Sequence, residues 1–150
     1  MPSFETSRST LVSAPPAVVR ALLIDFRSWT KWSPWEELDA DLKRTYAGTE
    51  QGVGAHYTWA GKKAGEGSMH ITRVSDDRVE VDLDFSKPIK ANNKVVFRLD
   101  PEGSATRVTW TMSGTRNVLL AIMGKLFFDG MVGKDFEKGL AKLKAAAETS

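Results

Sequence analysis

A chain of 150 residues can bury roughly 70% of the surface that its unfolded form exposes, so one hydrophobic core suffices and a single domain over residues 1–150 is expected. Its 21 basic and 19 acidic residues leave a net charge of +2, and no run of like charges makes a nucleic-acid footprint. The lack of cysteine excludes disulfides, thiolate metal sites and a cysteine nucleophile, and points to a reducing compartment. The N-terminus has no basic flank leading into an apolar core, and apolar runs such as Val118 to Met123 fall far short of the roughly 20 residues of a membrane span. A cytoplasmic protein without stable membrane insertion is expected.

Phe4 to Ser13 carries β-formers and stops at Ala14-Pro15-Pro16, which predicts a first strand. Val18, Leu22, Phe26 and Trp29 then recur at helical spacing with Val19 and Leu23 beside them, predicting one short amphipathic helix. Trp32-Ser33-Pro34-Trp35 breaks it, and the segment to about Asp41 reads as a loop or a second short helix.

From Leu42 to Ser113 short β-rich segments alternate with Gly, Pro, Asn and Asp, the pattern of an antiparallel meander. Centring a turn on Lys63 sets Tyr57 opposite Met69 and Ala55 opposite Ile71, with His56 facing His70 on the other side. A turn at Pro101 to Ser104 sets Val95, Phe97 and Leu99 against Met112, Trp110 and Val108. Val79, Val81, Leu83 and Phe85 alternate in a further strand. The parity slips between Ile71 and Val74, which calls for either a bulge or a longer turn at Asp76-Asp77. After Gly114 the helical period returns through Leu119, Ile122 and Leu126, then Phe136, Leu140 and Leu143, with Lys134, Lys138 and Lys142 as a wet stripe. Gly124, Gly130, Gly133 and Gly139 each cost about 1 kcal/mol in a helix interior, so a kink or break is expected near Asp129 to Gly133.

The element order describes an α+β fold in which about seven antiparallel strands bury one face under a long C-terminal helix. The ordered set Ala14-Pro15-Pro16-Ala17-Val18, Asp25 with Trp29, Trp32, Ser33, Pro34 and Trp35, Gly52-Val53-Gly54-Ala55 leading to Trp59, Gly65 and Gly67 with Met69, Phe85 before Pro88, Thr106 to Trp110, and Asp135 to Lys144 resembles the SRPBCC or START-like superfamily, in its polyketide cyclase/dehydrase-like branch. The resemblance spans nearly the whole chain. It implies a helix-grip fold, a curved sheet wrapped around the long helix with short helices after the first strand, and a deep cavity for lipids, polyketides or other apolar ligands. It implies no particular reaction, because such a fold hosts carriers, cyclases and hydrolases alike.

The expected concave face offers large flat and soft side chains: Tyr57, Trp59, Met69, Leu83, Phe85, Phe97, Trp110 and Met112. Met123, Phe127 and Met131 face them from the helical segments. Trp35 is expected at the rim, whereas Trp29 and Trp32 serve either as a rim or as a staple onto the body. His56 and His70 are expected as an exposed pair, since two ligands alone make a poor metal site, and no metal or cofactor is called for. Glu80, Asp82 and Asp84 alternate onto the outer face, where Lys94 and Arg98 can meet them. No nucleophile elbow, zinc-protease motif, P-loop or dinucleotide fingerprint is present. Asp25, Glu36 and Glu66 are the nearest candidates for an acid or base at the mouth. The residues favour a binding or carrier protein for a hydrophobic small molecule; a cyclase or dehydratase-like enzyme and a protein-interaction module are the alternatives.

Overall fold

The computed structural model describes residues 3–33, 42–61, 65–87, 91–115 and 128–149. Seven strands, β1 (Ser3–Val12), β2 (Lys43–Gly48), β3 (Ala55–Gly61), β4 (Gly65–Ser75), β5 (Arg78–Lys87), β6 (Ala91–Glu102) and β7 (Ala105–Thr115), form one antiparallel sheet. Its order is β1-β7-β6-β5-β4-β3-β2. The meander therefore runs from β2 to β7, and the first strand closes beside the last. With the C-terminal helix α2 (Phe128–Glu148) this is the curved-sheet, α+β helix-grip architecture.

The hairpin registers follow the side-chain alternation. His56 pairs with His70 and Tyr57 with Met69, while Val95, Phe97 and Leu99 pair with Met112, Trp110 and Val108. One face of each strand is apolar, so a slip of one residue would turn the whole set toward water. The parity slip in β4 is a bulge: the register shifts between Ile71 and Arg73, and Ser75 then pairs with Arg78 across the short Asp76-Asp77 turn. A second shift, between Glu66 and Gly67, had no counterpart in the sequence pattern.

The helical connection after β1 differs from the single helix expected. Helix α1 spans Pro16–Leu23, and a separate 3-10 helix spans Phe26–Lys31. Asp25 adopts an extended conformation and its carboxylate accepts the Arg27 N–H at 3.0 Å, starting the second element anew. The end of α1 is finished by two buried indoles. Trp29 Nε1 donates to the Leu23 carbonyl at 2.9 Å and Trp32 Nε1 to the Leu22 carbonyl at 3.0 Å, occupying acceptors that a helix end leaves open.

Helix α2 is continuous from Phe128 to Glu148, so of the expected kink or break at Asp129 to Gly133 the break is not found. Phe136, Leu140, Leu143 and Ala147 form one buried stripe, and α2 packs chiefly on β1, with α1 and the 3-10 helix beside it. Burying each Leu contributes about 1.5–3 kcal/mol, which outweighs a glycine's propensity cost of about 1 kcal/mol. The C-terminal end is tied down by polar contacts as well: Lys144 Nζ donates to the Leu11 carbonyl at 3.1 Å, and the Ser13 N–H donates to the Glu148 carboxylate at 2.8 Å. The hydrogen bond from Lys144, reinforced by the Ser13 N–H, holds the Glu148 carboxyl below its usual range.

Candidate functional site

Alternation along β3 to β7 directs Tyr57, Trp59, Met69, Ile71, Val79, Val81, Leu83, Val95, Phe97, Leu99, Val108, Trp110 and Met112 into one buried cluster. Cross-strand pairing arranges them in rows. One row runs Val79, Phe97, Trp110; another runs Tyr57, Met69, Leu83, Asn93, Gly114; a third brings Trp59, Gly67 and Phe85 together.

The two ends of this face pack differently. At the first, Trp110 stacks on Phe136 of α2 with ring centroids 4.0 Å apart and planes 6° from parallel. Trp32 meets both Trp110 and Phe97 edge-on, and Trp29 meets Phe97 in the same way. Trp29 and Trp32 are therefore a staple inside the core. At the other end, Tyr57, Trp59, Met69, Leu83, Asn93 and Met112 keep 4–8% of their surface accessible, whereas Val79, Val81, Phe97, Leu99 and Val108 keep none. A chain of rings links the ends, from Trp29 through Phe26, Tyr57 and Trp59 to Phe85.

Two features of this end escaped the sequence reading. Gly67 is the place where the indole of Trp59 crosses β4: a Cβ there would lie 2.5 Å from Trp59 Cη2 and 2.5 Å from the Asp84 carbonyl oxygen. Asn93 is buried on the inner face beside Leu83, with 7% of its surface accessible, and its Oδ1 finds no hydrogen-bond partner among the described residues. Its parity with Val95, Phe97 and Leu99 was the available signal.

The remaining candidates fall elsewhere. Trp35, Glu36, Met123 and Phe127, and the side chain of Met131, lie outside the described residues. Asp25 is occupied as a cap. Glu66 pairs with Ala60 on the face shared by Thr58, Ser68 and His70, which is the outer one. His56 and His70 are exposed there, ring centroids 5.8 Å apart, and the described residues hold no group of three or more metal-ligating side chains. Lys94 meets Glu80 and Asp82, each at 3.9 Å, as expected. Arg98 instead pairs with Asp100 at 3.7 Å; the bulge sets Arg73 opposite Glu80, and Arg73 and Arg78 take that carboxylate. Partial burial and the neighbouring Asp82 raise the Asp84 carboxyl above its usual range, with His70 and His56 opposing. An open depression of about 490 Å³ is bordered by Asp82, Asp84, Asn92, Asn93, Lys94, Ser113 and Gly114.

The profile of the family described as polyketide cyclase / dehydrase and lipid transport matches residues 1–148. Among solved structures, MLL2253 from Mesorhizobium loti is similar over 98% of both chains, with 14% identity and a TM-score of 0.72. CV1439 from Chromobacterium violaceum is similar over 96% of both, with 14% identity and a TM-score of 0.69. TTHA0849 from Thermus thermophilus is similar over 97% of this chain and 98% of its own, with 18% identity and a TM-score of 0.67. At such identities the likeness concerns the fold. No curated protein matches the chain significantly in sequence. Among the described residues, no helix is long and apolar enough to cross a membrane.

Proposed function

The chain belongs to the polyketide cyclase / dehydrase and lipid transport family, and on that footing we propose that it binds a hydrophobic or amphipathic small molecule between the concave face of the sheet and α2. The supporting observation is the residual exposure of Tyr57, Trp59, Met69, Leu83 and Met112 at one end of an otherwise sealed apolar face. In this reading residues 1–150 act as one ligand-binding domain in the cytoplasm. Phe85 forms a wall of the site, and Phe97 and Trp110 are packed behind it.

Carriage is favoured over catalysis by the polar groups that the described core contains. They are Thr6, Ser33, Asn93 and Thr106, all neutral, whereas cyclase or dehydratase chemistry draws on a positioned acid or base. Shape and apolar contact then supply the affinity, and no cofactor takes part.

Native mass spectrometry of freshly purified protein is expected to reveal a co-purified small molecule. Saturable binding of 1-anilinonaphthalene-8-sulfonate is expected for the wild type and for Lys142→Ala, with affinity falling tens-fold in Trp59→Ala, since about 2 kcal/mol of indole contact converts to roughly thirtyfold. Absence of saturable binding by well-folded wild type would overturn the reading.

A further inference from the structure

Asn93 is anomalous for a core position. It sits at the start of β6 with its side chain on the face of Val95, Phe97 and Leu99, nine-tenths buried. Its cross-strand neighbours are Leu83 on β5 and Gly114 on β7; neither has a polar side-chain atom, and Val95, the next inward residue on its own strand, has none. The Oδ1 is left without a hydrogen-bond partner among the described residues. A buried acceptor that loses its bonds to water and gains none in return destabilises the fold, and such groups are uncommon in native interiors. Leucine at this position would fill a similar volume and carry no such penalty, so the amide makes sense if an occupant of the cavity completes it.

We propose that Asn93 is the specificity-determining group of the apolar site: its side-chain amide accepts a hydrogen bond from a hydroxyl on the bound molecule. This rests on the binding reading above and narrows it to flat or hydrocarbon-like ligands carrying an alcohol or phenol. Three features converge. The amide lies in the row of Tyr57, Met69 and Leu83, at the end of the face that keeps residual exposure. Trp59 and Phe85, edge-on at 5.6 Å, offer aromatic surface in the adjoining row. A site built to bond a hydroxyl discriminates strongly against the analogue that lacks it, because the buried polar group is then left unpaired.

Competition for 1-anilinonaphthalene-8-sulfonate by 2-naphthol and by its near-isostere 2-methylnaphthalene tests this in wild type, Asn93→Leu and Asn93→Ala. Comparing ratios between proteins cancels the different hydration of the two probes. The preference for 2-naphthol over 2-methylnaphthalene is expected to fall about tenfold in both variants, the size of one buried hydrogen bond. The melting temperature of Asn93→Leu is expected to rise by about 2–4 °C, as when an unmet buried polar group of about 1 kcal/mol is removed. An unchanged probe ratio in folded variants that still bind the dye would overturn the role of Asn93 while leaving the cavity intact. If the wild type bound neither dye nor probe, the cavity reading and this inference would both fall.

Discussion

Gly67 shows how one missing methyl group shapes the apolar end. The Trp59 indole and the Asp84 carbonyl occupy the space that a Cβ would take, and the carbonyl belongs to the rigid neighbouring strand. Gly67→Ala is therefore expected to destabilise the fold by about 1–3 kcal/mol through overpacking and to turn Trp59 away from Phe85. A thermal melt with tryptophan emission checks both; a native melt with an unshifted spectrum would contradict it. Asp84 makes a pH-dependent prediction on the opposite face. Because its folded value is raised, the ionised carboxylate weakens the fold above that value, and the penalty disappears once pH falls below the unfolded value, where both states are protonated. Asp84→Asn should melt higher than wild type at pH 7, with the difference vanishing in acid. A difference that persists below about pH 3 would exclude ionisation as its cause.

At the scale of elements, the short α1 depends on its neighbour. Its eight residues are too few to be stable alone, and its last carbonyls are bonded by the indoles of Trp29 and Trp32, which arrive on the 3-10 helix. Trp32→Phe keeps most of the ring contact but leaves the Leu22 carbonyl without that bond. The expected loss is about 1–3 kcal/mol, measured by urea unfolding. A cost no larger than that of an exposed substitution would show that the indole N–H contributes only packing. The bulge between Ile71 and Arg73 acts at this scale too: one extra residue in β4 lets Ile71 and Val74 both face inward, opposite Val81 and Val79, and sets Arg73 opposite Glu80.

For the whole molecule, the decisive pairing is the most distant in sequence. β1 pairs with β7 from Ser3 opposite Thr115 to Val12 opposite Thr106, and α2 lies chiefly on β1. Long-range pairing of this kind makes for slow folding, in milliseconds to seconds. It also covers the edge of β7, which would otherwise present unpaired backbone groups beside the core. Deleting residues 1–12 should expose that edge, remove the main support of α2 and give aggregated protein on size-exclusion chromatography. A soluble monomer with a cooperative melt would show that β1 is dispensable.

Period-2 alternation by itself determined the hairpin registers of β3 with β4 and of β6 with β7, because only one parity buries Tyr57 with Met69 and Phe97 with Trp110. The same rule placed His56, His70 and the Asp82 ladder outside, and the ordered residue set pointed to the helix-grip family. Tertiary structure decided what local pattern cannot encode. The end of α1 is set by indoles six and ten residues downstream, and the stripe Phe136, Leu140, Leu143 and Ala147 of α2 is buried against the body of the fold. Arg98 stands opposite Arg78 and pairs with Asp100, while the bulge brings Arg73 to Glu80. The exception in β6, Asn93 among inward apolar residues, is visible in the sequence as a break in the pattern. That its Oδ1 is buried without a partner among the described residues depends on Leu83 and Gly114, which only the register of the sheet brings beside it.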